Sequence, residues 1–195
     1  FERIIIQLGY KAVSLNEAIA IIYAECDATD FTGIGISFGA GLTNIGMAFK
    51  SVPILSFSIA RGGDWIDENA ATSTGSVSNR ITLIKEKEDF EINNFSIGNK
   101  KEKRVREAIS HYYSNLIQYT TKNILNQLNK LDVKFPNKIP VIVSGGTSKA
   151  KGFLDQVKKI LSEYEFPFEI SEIRQATNPL TAVAEGCLIR SFKLE

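Results

Sequence analysis

The sequence predicts a mixed α/β fold built around one sheet, on three observations. Between Gly33 and Ile59, β-prone residues fall into three runs separated by tight breaks, the pattern of an antiparallel meander. Further on, a long stretch of helical period is followed by a short continuous apolar run, Ile139-Pro140-Val141-Ile142-Val143, and then by another helix and strand. The 195 residues are 44% hydrophobic and 23% charged, which suffices for one large core or two small ones and excludes a disordered chain.

Taken in order, Ile4, Ile5, Ile6 and Leu8 form an apolar cluster ending at Gly9, and Val13 and Leu15 read as a short strand. Asn16 is an N-cap for the alanine-rich helix Glu17 to Ala24, whose apolar residues on every side mark it as buried. The meander follows: Ile34 and Ile36, the turn Gly39-Ala40-Gly41, then Ile45, Met47 and Phe49, a break at Lys50-Ser51-Val52-Pro53, and Ile54, Phe57 and Ile59. Gly62-Gly63 ends it, with Asp64 as the expected cap of a helix containing Trp65, Ile66 and Ala70. A Thr/Ser/Gly segment, Thr72 to Ser78, separates that helix from a second one near Asn79 to Lys87.

Phe90, Ile92, Phe95 and Ile97 read as a short exposed strand pair. The basic run Lys100, Lys101, Lys103, Arg104 and Arg106, with Glu102 and Glu107 interleaved, reads as a solvated face rather than a binding patch. An amphipathic helix then extends from about Glu102 to Leu131, stopping before Pro136. The buried strand ending at Val143 feeds Ser144-Gly145-Gly146-Thr147-Ser148, and a helix from Gly152 to Tyr164 and a strand around Phe168 to Ile170 follow. Asn178 and Pro179 open a last helix.

Composition narrows the chemistry. A net charge of +1 gives no electrostatic footprint for nucleic acid or an anionic membrane. No apolar run reaches the roughly 18 residues of a membrane span, and Glu2 and Arg3 do not open a signal peptide, so the expected compartment is the cytoplasm. One histidine and two cysteines do not build a usual zinc site, and His111 lies in the long helical period as a packing residue. Cys26 and Cys187 are expected as buried free thiols, Trp65 as an anchor, and Tyr112, Tyr113 and Tyr119 as packing residues with hydroxyls reaching solvent.

Two glycine turns follow buried strands, at Gly39-Ala40-Gly41 and at Gly145-Gly146. Glycines there let main-chain N–H groups approach a phosphate, although each turn alone is also simply a tight connection. Neither is a P-loop, and the first is not the dinucleotide fingerprint, since the next glycine after Gly41 is Gly46. Asn16-Glu17-Ala18-Ile19-Ala20, Ser37 to Ile45, Gly62-Gly63-Asp64 with Asp67, Val141 to Gly146 with Lys151-Gly152, and Asn178 to Gly186 occur in one order. That order resembles the second half of the actin-like ATPase superfamily, nearest to the bacterial and archaeal actin homologues.

The resemblance covers the whole chain and implies a ribonuclease H-like actin-ATPase lobe: residues 1–195 as the second lobe, with a core of about 1–75 and 102–195 and a small inserted subdomain at about 76–101. It implies ATP or ADP with Mg²⁺ as cofactor, held with a first lobe that this chain lacks. By resemblance the phosphate turn comprises Gly39, Ala40, Gly41, Thr43 and Asn44, and the adenosine turn comprises Gly145, Gly146 and Ser148. Gly62, Gly63 and Asp64 lie beside the nucleotide, Asn79 and Arg80 fall on the adenine wall, and Glu17 orients the metal-bound water. No residue of this chain is implied as a direct metal ligand.

The family's Asp-x-Gly-Gly-Gly-Thr is altered here: Ser37 stands for the Asp, Ala40 for the middle Gly and Leu42 for the Thr, while Asn44 replaces a frequent Asp. Asn79 and Thr82 likewise replace the acidic and basic members of the Glu-Arg-Ile-Lys wall. A neutral hydroxyl does not supply the charge that holds a hard cation through water. The expected function is a nucleotide-binding lobe with weak or no hydrolysis, acting as a cytoskeletal or scaffold-type module. The alternatives are a working Mg²⁺-dependent ATPase or, less well supported, a small-molecule kinase. Expected partners are the nucleotide, the first lobe, and a second copy in a filament or a partner protein. Met47 is the only methionine, so Phe1 reads as internal to a longer product, and exposed apolar surface is expected where the first lobe docks.

Overall fold

The computed structural model describes residues 2–135 and 138–192. Phe1 and Pro136, on which the readings of the chain start and of the long helix's stop rest, lie outside the described residues. A short helix α1 (Glu2–Gln7) precedes α2 (Glu17–Glu25) and the meander β1 (Gly33–Phe38), β2 (Thr43–Phe49) and β3 (Val52–Ile59). Then come α3 (Gly63–Thr74), α4 (Ser78–Lys85), α5 (Lys100–Leu128), β4 (Lys138–Ser144), α6 (Phe153–Leu161), β5 (Glu169–Gln175) and α7 (Ala182–Phe192). The five strands form one sheet in the order β3-β2-β1-β4-β5, antiparallel within the meander and parallel across β1-β4-β5. The expected α/β architecture, a meander followed by strand-helix units, is what forms.

Period-two alternation along the strands sorts their side chains between two layers. Ile34, Ile36, Phe38, Val141 and Val143 join the core with α3, α5 and α6, whereas Ile142 and Ala48 join a second cluster with α2. Helix α2 is buried throughout Ala18 to Tyr23 because the sheet covers one side and α7 the other. The fit depends on glycine: a Cβ on Gly35 of the sheet or on Gly186 of α7 would run into the main chain of Ala18 or Ala20. As the sequence predicts, the Asn16 side chain caps α2, its Oδ1 accepting from the Ala18 N–H at 2.9 Å.

Several local expectations are corrected. Val13 and Leu15 form no strand, since neither edge of the sheet pairs with that segment and Val13 stays exposed. The cap of α3 is Gly62, and Asp64 sits inside its first turn, where its N–H donates to the Ala40 carbonyl at 2.9 Å. Residues 88–99 hold no strand pair. Phe90 and Ile92 are buried, and the segment is strapped down by Ile92 N–H to the Lys151 carbonyl, Lys151 Nζ to the Glu88 carbonyl and Asn93 Nδ2 to Gln156 Oε1. Its one ladder contact is a parallel bridge between Glu91 and Lys151.

Arg106 departs from the solvated-face reading. It is fully buried, with Nη2 at 3.0 Å from both Asp89 carboxylate oxygens and 3.2 Å from Glu102 Oε1. Its guanidinium holds the Asp89 and Glu102 carboxyls below their usual range, with Lys87 the leading cause for Glu102. The strand near Phe168 runs on to Gln175, and α7 starts only at Ala182, because the Pro179 carbonyl turns away to accept from the Gly145 N–H and the Ser144 hydroxyl. Cys26 is buried as expected, and burial pushes its thiol up to about 11, whereas Cys187 is exposed. Tyr113 packs between Phe90 and Phe153 with no part of its ring in solvent to speak of, and burial pushes its phenol up.

Candidate functional site

Three main-chain turns meet at one end of the sheet. Adjacent strands β1 and β4 run parallel and in register, Ser37 beside Ser144, so the turns that follow them emerge side by side. The first turn closes on itself through Gly39 N–H to the Leu42 carbonyl at 2.9 Å. It is carried by α3: the Gly63 and Asp64 N–H groups donate to the Gly39 and Ala40 carbonyls at 3.0 and 2.9 Å. Thr147 joins the second turn to the first, its hydroxyl donating to the Gly39 carbonyl at 2.9 Å.

This geometry divides the sequence-predicted residues by task. The N–H groups of Ala40 and Gly41, and those of Gly146 and Thr147 at the start of a 3-10 turn (Gly146–Lys149), have no hydrogen-bond acceptor among the described residues. Those donors, and the equally open N–H of Leu42, are free for an anion. By contrast, Gly62 and Gly63 are buried supports, and the buried Thr43 hydroxyl donates to the Arg61 carbonyl at 2.8 Å. Ser148 is also spent internally: its hydroxyl donates to the Gly145 carbonyl at 2.7 Å and accepts from Gln175 Nε2 at 3.0 Å.

At the other side of the first turn stands Glu17, in the first turn of α2. Its Oε2 accepts from Ser37 Oγ at 3.1 Å and from Asn44 Nδ2 at 2.9 Å, and Asn44 Oδ1 in turn accepts from Ser58 Oγ. Partial burial of the otherwise exposed Cys187 and, second, the Glu17 carboxylate push the pKa of its thiol up. Among the described residues, no three Asp, Glu, His or Cys side chains come together as a metal site. The donor set at Glu17 is a single carboxylate whose Oε2 already accepts from a hydroxyl and an amide, which does not fit Mg²⁺ held by this chain alone.

Beside the turns opens a cavity of about 640 Å³ walled by α3, α4, residues 86–90 and the second turn. Ala40, Gly63, Asp64 and Gly146 reach it, as do Thr82, the last residue of the wall motif, and Thr147 and Lys85, which sequence reasoning did not single out as site residues. Asp67, buried on α3, accepts from Thr82 Oγ1 at 2.8 Å and pairs with Lys85 Nζ at 2.6 Å; Lys85 also donates to the Gly63 carbonyl at 3.3 Å. Asn79 and Arg80 are exposed and do not line the cavity; the wall of α4 is made one turn later, by Thr82, Lys85 and Glu86. The available signal was helical spacing, since Lys85 follows Thr82 by three residues and shares its face.

Comparison with known proteins accords with this architecture. No curated protein matches the chain. Among solved structures, it is similar to the crystal structure of the ethanolamine utilization protein EutJ from Carboxydothermus hydrogenoformans, at a TM-score of 0.62 and 19% identity, covering 96% of this chain and 59% of that one. The chain therefore spans about three-fifths of that protein's length, and the likeness bears on the fold, which is the actin-like ATPase fold expected from the sequence. The sequence profile of one family, Volactin, matches residues 1–191, and the chain belongs to the Volactin family.

Proposed function

We propose that this chain is the second, nucleotide-binding lobe of an actin-like protein, which takes ATP or ADP against the paired glycine turns and hydrolyses it weakly or not at all, in keeping with a scaffold or cytoskeletal role. One observation carries the reading: the Glu17 carboxylate accepts hydrogen bonds from Ser37 and Asn44, where the resemblance places two more acids. Two donors in place of two carboxylates remove negative charge and both engage Oε2 of Glu17, so the site lacks the charge that would gather a cation's water shell. The unpaired N–H groups on the turns retain the capacity to hold phosphate oxygens, because that capacity resides in the main chain and is indifferent to Ser37. The cavity beside Thr82 and Lys85 takes the nucleoside, and a first lobe closes the cleft.

Calorimetry with ATP and ADP, with and without Mg²⁺, and phosphate release followed in the same samples test this on the longest natural product containing the chain. Binding that changes little with Mg²⁺, without turnover, is the expected result. The double variant Ser37→Asp, Asn44→Asp should make binding Mg²⁺-dependent. Mg²⁺-dependent turnover by the unaltered protein refutes impaired hydrolysis, and absence of any nucleotide binding refutes the site itself.

A further inference from the structure

The outer face of α3 and α5 carries an arrangement unrelated to the glycine turns. Arg61, in the link between β3 and α3, lays its guanidinium carbon 3.7 Å from the Tyr119 ring centroid and 4.8 Å from that of Trp65. Trp65 is itself held edge-on by Tyr112 at 5.6 Å. Among the described residues the Arg61 guanidinium makes no hydrogen bond or ion pair: of the acids nearest in sequence, Asp64 and Glu68 do not pair with it and Asp67 pairs with Lys85. The two rings hold the guanidinium in place while its N–H donors have no partner among the described residues, so the conformational entropy of ordering the side chain is spent before any ligand arrives.

The surrounding surface is unusual for a solvated helix. All of Lys100–Glu107 except Val105 is charged, yet from His111 to Leu128 the same helix bears one charge, Lys122. Tyr119 is 38% exposed there, and the polar residues one turn away along the helix are Asn115, Lys122 and Asn123. Loss of charge together with Trp, Tyr and Arg is the composition of an interface centre. Arg104 and Glu107 lie at the far end of the α3/α5 groove, whereas Arg61 and Lys122, the cations at the Tyr119 end, make no ion pair among the described residues, so the complement of that end is acidic.

We infer that the α3/α5 face is a docking surface for an acidic segment of a partner protein, one of whose Asp or Glu carboxylates seats edge-on in the Arg61 fork between Trp65 and Tyr119. A planar carboxylate matches the fork bidentately. The inference does not rest on nucleotide binding.

Trp65 is the chain's one tryptophan and reports the site directly. A blocked hexaglutamate peptide titrated into the full 195-residue chain should change its emission saturably in the millimolar range, while hexaglutamine and inorganic phosphate should not. Arg61→Lys keeps the charge without the fork and should weaken the response at least about tenfold; Arg61→Gln should abolish it, with far-UV dichroism and melting unchanged. Should the Arg61 variants not fold, Tyr119→Leu removes one stacking face at an exposed position and is expected to weaken binding several-fold. No saturable change with hexaglutamate, an equal response in Arg61→Gln or Tyr119→Leu, or an equal response to phosphate overturns the inference.

Discussion

Replacing Gly186 by alanine tests the α2/α7 contact with a sign that propensity alone gets wrong. In the interior of an ordinary helix, Gly→Ala stabilises by about 1 kcal/mol. Here the new Cβ would stand 2.9 Å from Ala20 Cα, and nearer still to that residue's carbonyl carbon and oxygen. The obstacle is main chain in a helix buried on both sides, so no side chain can swing away. Relief to ordinary contact needs α7 to back off by more than about 1 Å, and overpacking of this kind costs about 1–3 kcal/mol or more. Set against the propensity gain, a net loss of about 1–2 kcal/mol is expected, which for a chain of this size lowers Tm by about 2–8 °C. Thermal melting followed at 222 nm, with Ala184→Gly at the exposed side of α7 as the propensity control, measures it. An unchanged or raised Tm in Gly186→Ala would show that the two helices do not approach as described.

Other expectations concern separate parts of the molecule. Removing the Asp67 carboxylate as Asp67→Ala strands the largely buried Lys85 ammonium and should cost about 3 kcal/mol in chemical denaturation, more than Lys85→Met, which strands an acid still bonded to Thr82. Asp89 and Glu102 have folded-state pKa values below their unfolded ones, so their contribution is complete above about pH 5 and is lost as pH falls through the folded values. Melts between pH 6 and pH 2 should therefore fall more steeply for the parent than for Arg106→Met. A thiol reagent at pH 8 should modify Cys187 in the native chain and reach Cys26, whose pKa is about 11, only after unfolding.

What the sequence makes legible is what local rules determine. Helix α2 is readable from the Asn16 cap and an apolar surface on all sides, and the meander from β-branched runs broken at Lys50 and Ser51, both of which take the positive φ of a tight hairpin. The two glycine turns are readable as well, although which of their groups stay free is not, because that depends on α3 donating into the carbonyls of Gly39 and Ala40 from more than twenty residues away. Arg106 illustrates the same limit: among seven charged neighbours nothing local marks one as buried, and only the strap at Asp89 decides it. The shift of the cavity wall from Asn79 and Arg80 to Thr82 and Lys85 follows from the rotation of α4 against Asp67, again a distant contact.

The pairing of Ile34 with Val141 has a further consequence, for synthesis at the ribosome. The meander emerges complete, but the partner of its β1 edge is translated more than a hundred residues after β1 itself. At about 5–20 residues per second, β1 waits roughly 5–20 s with a long apolar edge and no neighbour. An unpaired edge is a template for intermolecular pairing, so the nascent chain passes through a window in which a chaperone, or crowding by other nascent copies, decides its fate. The mature sheet hides that edge at its centre, and reaching it closes a loop of more than a hundred residues.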